Sequence, residues 1–171
     1  LAALVVISFG VGVNYITDPF HPGHLFRIDG IKYGFFIFGI PFLWCSNNLV
    51  SAAITQAHLY RKETGDTTYL EMETSLRDWL LGCNPWGTSM IVGYPQGGDY
   101  PDSPHSAYTK LKGDLPVGGL VDGPIYLELF KDRAGNALTK EDKYALFNNG
   151  KAVYHDDIGD YASNEPTMDG T

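Results

Sequence analysis

The stretch that decides the fold class reads SNNLVSAAITQAHLYRKET and covers residues 46–64. Its apolar residues recur at intervals of three and four positions, the spacing of one face of an amphipathic helix. They are Leu49, Val50, Ala53, Ile54, Ala57 and Tyr60. Gly65 follows directly, and glycine readily adopts the backbone conformation found just beyond the end of a helix. The stretch therefore predicts a helix over residues 46–64.

A second predicted helix follows after a short turn. Thr68 and Glu71 have the spacing of a capping box, which marks the start of a helix. Gly82 and Pro85 mark its end. The residues expected on its buried side are Leu76, Trp79 and Leu80. Two helices joined by a short turn form an antiparallel hairpin, the repeating unit of many all-α folds.

The rest of the chain is less regular. Residues 84–123 are rich in glycine and proline and show almost no periodicity, and such a long irregular stretch inside a domain is usually functional. A short helix is predicted after Gly123-Pro124, because proline fits the first helical position. Another helix is predicted over residues 139–149. We expect no sheet beyond short ribbons in the long loop, so the predicted class is all-α.

The amino-acid composition limits the kinds of molecule that we expect the protein to bind. The 171 residues carry a formal net charge of −8, which argues against binding to nucleic acid or to an anionic membrane surface. A neutral polysaccharide is a better match. Residues 1–16 are uncharged; an element buried in a larger core is favoured over a signal peptide or a membrane anchor.

The acidic segment YHDDIGDYASNEPTMD, residues 154–169, contains four Asp and one Glu and lacks Lys and Arg. Crowded carboxylates repel one another, so we expect at least one of them to hold its proton near neutral pH. A carboxylic acid beside aromatic rings suits the cleavage of a glycosidic bond. A solvated acidic turn is the main alternative. A calcium loop of the EF-hand type does not fit the spacing of these residues.

Four segments resemble glycoside hydrolase family 9, the cellulase family of inverting β-1,4-glucanases. They are residues 79–94, similar to the family's "LLGxNP…SyvvGyG"; Pro104-His105, at the family's "PHHR"; residues 118–124, GGLVDGP, similar to "GaLVGGP"; and residues 154–167, which fit Y-x-D-x4-Y-x3-E-x-T. They occur in the family's order. The resemblance implies an (α/α)6 barrel, in which six outer helices surround six inner ones.

The resemblance also implies roles for particular residues. Glu165 would be the general acid, and its alternative is a simple capping carboxylate. His105 would contact a sugar and could donate to a hydroxyl group. Asp156 would be a structural residue of the acidic segment, with Asp160 supporting it. The aromatic residues proposed to stack on sugar rings are Trp86, Tyr94, Tyr100 and Tyr108, and core packing is the alternative for each. No cofactor is required, although a structural calcium ion is compatible, and the protein is expected to be secreted, periplasmic or on the cell surface.

The chain departs from the family pattern in ways that limit these expectations. The string Asp157–Tyr161 is similar to the family's "DxGDY", whose aspartates activate water, but it lies inside the acid segment and we reject it as that pair. The base is therefore expected upstream, and residues 1–171 are expected to be the C-terminal portion of a catalytic domain. Such a portion would be an incomplete, inactive barrel whose apolar side is covered by the missing part or another chain.

Other departures concern the sugar pocket. Ala107 stands where the family's "PHHR" has Arg, and Gly170 and Thr171 stand where an aromatic residue and Asn are frequent. These changes put cellulose itself in doubt as the substrate. The rival interpretation is a non-catalytic carbohydrate-binding or structural helical module, favoured by the missing base and opposed by the acid segment.

Overall fold

The computed structural model describes residues 40–148 and 151–166. Our expectations for residues 1–16, Gly170 and Thr171 lie outside these ranges. The regular elements of the described part are α1 (Ser46–Thr64), α2 (Leu70–Leu80), α3 (Ala107–Lys112), β1 (Ile125–Tyr126), α4 (Leu127–Lys131) and β2 (Ala152–Val153). Helices supply most of this regular structure, in agreement with the predicted class.

Helix α1 has the bounds that the sequence predicts. Its buried apolar residues are Val50, Ala53 and Ala57, all on the predicted face. Gly65 adopts a left-handed conformation with φ 72°, and its N–H donates to the carbonyl oxygen of Arg61 at 2.9 Å. This bond satisfies one of the carbonyl groups that a helix leaves unpaired at its C-terminus. Local periodicity and one glycine are therefore sufficient to define this helix.

Helix α2 is confirmed, but its predicted capping box is wrong. The helix begins at Leu70, and Tyr69 at its N-cap makes no side-chain capping bond. Thr68 instead donates both its N–H and its hydroxyl to Asp66 Oδ1, at 2.8 and 2.6 Å. The carboxylate of Asp66 thus organises the turn and removes Thr68 from the cap. The predicted inner residues Leu76, Trp79 and Leu80 are all buried.

The two helices form the predicted antiparallel hairpin. Near the end of α1, Arg61 binds Glu73 in the first turn of α2 through two hydrogen bonds, Nε to Oε2 at 3.0 Å and Nη2 to Oε1 at 2.9 Å. His58 Nδ1 lies 3.2 Å from the same carboxylate. These contacts require the end of one helix to lie beside the start of the other.

The helix predicted after Gly123-Pro124 begins later than expected. Residues Ile125–Tyr126 form β1, which pairs antiparallel with β2 (Ala152–Val153), and α4 begins only at Leu127. The N–H of Tyr126 donates to the carbonyl oxygen of Phe42 at 2.8 Å. Pairing on both sides therefore keeps these residues extended despite the preceding proline.

The helix predicted over residues 139–149 is wrong, because residues 139–148 form turns. Two backbone N–H groups at the start of this segment donate to the carboxylate of Asp157, those of Thr139 at 2.9 Å and Lys140 at 3.0 Å. The N–H of Tyr144 donates to Asp142 Oδ1 at 2.8 Å. The carboxylates of Asp157 and Asp142 therefore accept hydrogen bonds from backbone N–H groups that a helix would have paired with its own carbonyl groups.

The long loop of residues 84–123 contains more structure than its sequence indicates. It includes α3, where the Ser106 side chain accepts from the N–H of Thr109 at 3.2 Å and caps the helix. An isolated antiparallel bridge joins Ile91 to Leu120 within the loop. The two-residue strands β1 and β2 pair outside the loop, where the sequence indicated no ribbon. The apolar core continues from α1 and α2 into this loop through Trp86, Met90, Val92 and Val121.

Candidate active site

Glu165 lies on a segment whose backbone is paired with the residues 118–124 motif. The N–H of Asp122 donates to the carbonyl oxygen of Glu165 at 2.8 Å. Val121 and Pro166 form an antiparallel bridge beside it. The Glu165 side chain is partly exposed. Two of the sequence motifs are therefore in direct contact, and the candidate acid is both supported and accessible.

His105 lies on the other side of the same segment. Its N–H donates to the carbonyl oxygen of Asn164 at 2.9 Å, one residue before Glu165. His105 Nδ1 lies 2.6 Å from the carbonyl oxygen of Ile158 and must donate there, because a carbonyl group only accepts. A neutral ring then carries its acceptor at Nε2, where Lys110 Nζ lies 3.3 Å away. In this arrangement Nε2 accepts, whereas the sequence interpretation has His105 donating to a sugar.

Asp156 holds the loop that precedes His105. Its side chain is fully buried and accepts from the N–H of Ser103 at 2.8 Å and the N–H of Asp102 at 3.1 Å. Lys143 Nζ lies 2.8 Å from Oδ2. Burial alone would lower the pKa of Lys143, but the hydrogen bond and charge of Asp156 outweigh it and raise that pKa. Asp156 therefore anchors the backbone of this loop, and its role in the family's acid segment stays a prediction.

The carboxylates of Asp157 and Asp160 also accept several hydrogen bonds each. Asp160 Oδ1 accepts from the N–H groups of Ala162 and Ser163, and Oδ2 accepts from the Ser163 hydroxyl at 2.6 Å and from His155 Nδ1 at 2.8 Å. Burial works to raise the pKa of Asp157, but backbone N–H bonds, that of Gly159 foremost, and the Thr139 side chain lower it overall. Hydrogen bonding, and not mutual repulsion, therefore dominates at Asp157.

The comparison with known families identifies the chain at this point. The model of glycosyl hydrolase family 9 matches residues 29–171. The chain belongs to glycosyl hydrolase family 9. No curated protein and no solved structure matches it. The resemblance seen in the motifs is therefore confirmed. The members of this family are glycoside hydrolases built on an (α/α)6 barrel.

Asp122 is the residue that sequence reasoning missed. The family 9 motif quoted above, "GaLVGGP", has glycine at this position, and that departure was its only signal. The side chain is 3% exposed, and its Oδ2 accepts from Trp44 Nε1 at 2.6 Å. Burial raises the pKa of Asp122 to about 6, and the charges of Glu165 and Asp160 add to the rise. Asp122 is therefore a carboxyl group beside the family 9 acid segment whose pKa is clearly raised.

The four predicted sugar-stacking residues have different environments. Trp86 is 5% exposed, and its Nε1 donates to Asn148 Oδ1 at 2.8 Å, so its ring packs in the core instead of presenting a face to a sugar. Tyr94 and Tyr108 are 53% and 45% exposed. Tyr100 is partly buried. The three tyrosines stay candidates, and Trp86 follows the core-packing alternative.

Two aromatic residues outside that set, Tyr161 and Trp44, form a chain of ring contacts that begins at His105. The Tyr161 ring is 6.0 Å from the His105 ring and 6.1 Å from the Trp44 ring, each edge to face. Trp44 is 42% exposed, and the Arg133 guanidinium lies 4.5 Å from its ring centroid. These rings connect His105 to Asp122, which accepts from Trp44. Tyr161 lies in the motif around Glu165, but the motif did not indicate this contact, and Trp44 lies in none of the four motifs.

No metal site is evident in the part of the chain that the structure describes. Its His, Cys, Asp and Glu residues form no group of three or more that could hold a metal ion. Nor does any helix within residues 40–148 and 151–166 have the length and hydrophobicity needed to cross a membrane. A structural calcium ion stays a prediction.

Proposed function

We propose that the protein containing this chain hydrolyses β-1,4-linked glucan, cellulose or a related β-glucan or oligosaccharide, with inversion at the anomeric carbon. Glu165 is the general acid and protonates the leaving oxygen. The observation that carries this proposal is the backbone pairing around Glu165. Asp122 binds its carbonyl oxygen on one side, and His105 binds the preceding residue on the other. A partly exposed carboxyl group between two loops is a geometry in which an acid can reach a bound sugar.

Inversion requires a second carboxylate that activates water on the opposite face of the sugar. In inverting enzymes the two carboxyl groups stand about 6.5–9.5 Å apart, which leaves room for that water. Asp157 and Asp160 already accept from backbone N–H groups, which supports their exclusion as the base. We place the base upstream of residues 1–171, so these residues alone should be inactive. The reaction requires no cofactor.

The same proposal includes the rest of the barrel, the class of substrate and the location of the protein. Residues 1–171 would form the C-terminal part of an (α/α)6 barrel, with the upstream part or another chain against its apolar side. The substrate would be a neutral polysaccharide or oligosaccharide, in keeping with the net charge of −8. Because polymers of this kind lie outside cells, we propose that the protein is secreted, periplasmic or displayed on the cell surface.

The product anomer tests this function. The full-length protein is incubated with cellopentaose, and the first product is followed by proton NMR before mutarotation. We expect the α-anomer from the wild type and product formation slower by at least ~10²-fold from the Glu165→Gln variant. A β-anomer would show retention and contradict the mechanism. Binding without product from the wild type would favour the non-catalytic carbohydrate-binding module.

A further inference from the structure

The amide side chain of Asn164, the residue before the candidate acid, connects two segments of the site. Asn164 is 0% exposed, and its Nδ2 donates to the carbonyl oxygen of Ser103 at 2.9 Å. Its backbone carbonyl oxygen accepts from the N–H of His105 at 2.9 Å. The family motif around Glu165 leaves position 164 unspecified. The side chain and the backbone of one asparagine therefore hold the 103–105 loop against the residue that precedes Glu165.

A buried tyrosine hydroxyl fixes the orientation of this amide. The Tyr154 hydroxyl lies 3.0 Å from Asn164 Oδ1, and Tyr154 is also 0% exposed. Because the carbonyl oxygen of Ser103 only accepts, the NH2 end of the amide must face it, and Oδ1 must face Tyr154. The hydroxyl therefore donates to Oδ1. The opposite orientation of the amide would bring two buried acceptors together without a proton between them, which is costly.

The ring of Tyr154 has contacts that do not need its hydroxyl. It packs edge to face on Trp86, with ring centroids 6.2 Å apart, and lies 5.7 Å from the Tyr144 ring. The Tyr144 hydroxyl donates to Asp99 Oδ2 at 2.8 Å and takes no part in the contact with Asn164. Removing the Tyr154 hydroxyl should therefore leave the ring in place and release only the amide.

We propose that Tyr154 and Asn164 are a pair of positioning residues that aim Glu165 at the leaving oxygen. The inference rests on the proposed role of Glu165 as general acid. The hydroxyl orients the amide, the amide holds the 103–105 loop, and the backbone next to Glu165 is fixed as a result. Because the Glu165 side chain is partly exposed, the position of its carboxyl group relative to the sugar depends on this backbone. A displacement of about 1 Å can lower a rate by about 10²-fold.

Kinetics on two substrates test the pair in the full-length protein. The measurement is kcat on cellopentaose, whose leaving group needs a proton, and on a dinitrophenyl β-cellobioside, whose leaving group departs without one. We expect Tyr154→Phe to lower kcat on cellopentaose by about fivefold and Asn164→Ala to lower it by about 10²-fold. Both variants should stay within about threefold of the wild type on the aryl glycoside, where the acid contributes little.

A matched control and a double variant show whether the hydroxyl acts through the amide. Tyr144→Phe removes a buried hydroxyl that does not bind Asn164, and it should leave the ratio of the two rates unchanged. Tyr154→Phe combined with Asn164→Ala should lose no more activity on cellopentaose than Asn164→Ala alone, because Asn164→Ala already removes the partner of the hydroxyl.

Several results would overturn the pair. They are wild-type rates or equal losses on both substrates in the folded single variants, additive losses in the double variant, and the same substrate-dependent loss in Tyr144→Phe. If only Tyr154→Phe folds, its ratio of the two rates decides. Failure of both single variants to fold would make the two residues structural and overturn the pair as well. If Glu165→Gln lost activity equally on both substrates, the proposed role of Glu165 would itself fail, whatever the variants of the pair show.

Discussion

The N–H of His105 donates to the carbonyl oxygen of Asn164 at 2.9 Å, so the long loop joins the acid segment one residue before Glu165. A loop rich in glycine and proline gains a fixed position from this bond and from the carboxylate of Asp156. The junction therefore has a fixed backbone position next to the candidate acid.

Glu165→Gln should lower turnover of unactivated β-glucans by at least ~10²-fold, because an amide keeps the shape of the side chain but cannot supply a proton. Aryl glycosides whose leaving group departs without protonation should lose far less. The measurement is kcat on cellopentaose and on a dinitrophenyl β-cellobioside. Equal losses on both substrates would assign Glu165 to holding the site and require another acid.

Asp156→Asn should destabilise the full-length protein by about 1–3 kcal/mol, because buried N–H groups and Lys143 lose their ionised acceptor. The measurement is the free energy of unfolding in urea, together with kcat/KM. The exposed neighbour Asp102 is the control, and Asp102→Asn should change stability by less than about 0.5 kcal/mol. A stable Asp156→Asn variant with lost activity would instead indicate that Asp156 acts on the substrate.

Asp122→Asn should stabilise the protein at about pH 7 relative to about pH 4. The folded pKa of Asp122 is raised, so its contribution to stability is present below the unfolded pKa and is lost as pH rises through about 6. The gain at neutral pH should be about 1–3 kcal/mol if Trp44 donates to the new side-chain oxygen. Thermal melts across this pH range measure the effect, and a variant that is less stable at both pH values would contradict it.

Trp86→Ala should cost about 3–5 kcal/mol of stability, because it empties a buried aromatic site. Tyr94→Ala should change stability by less than about 0.5 kcal/mol, since the ring is exposed, and should raise KM if the ring stacks on sugar. Chemical denaturation and steady-state kinetics separate the two roles. If Trp86→Ala raised KM without destabilising the protein, the buried position of Trp86 would be in question.

Features with a local cause were predictable from the sequence. Helix α1 (Ser46–Thr64) follows from apolar periodicity and from Gly65, which both act within a few residues. The turns over residues 139–148 were not predictable, because their backbone donors bind Asp157, a partner distant in sequence. The failed capping box at Thr68 has a local cause that was overlooked, because the neighbouring Asp66 accepts from Thr68 instead.

The residues of the candidate site show the same difference between what sequence motifs indicate and what depends on tertiary packing. Glu165 and His105 were found because they lie in motifs, and the structure joins their segments. Asp122 was missed, because its significance depends on burial and on its pairing with Glu165. The contact of Tyr161 with His105 and the contact of Trp44 with Tyr161 were missed, because both depend on tertiary packing. Family motifs therefore indicate the candidate acid, whereas the residues packed around its segment are seen only in the three-dimensional structure.

The pairing of Val121 with Pro166 also has a consequence for synthesis of the protein. The N–H groups of Asp122 and Gly123 donate to the carbonyl oxygens of Glu165 and Ser163, which are synthesised later, so these two groups lack their partners until the acid segment arrives. Unpaired extended edges promote aggregation, and contacts between distant residues form slowly. Nascent chains that stop before residue 160 should therefore engage chaperones more strongly than chains that extend past Pro166.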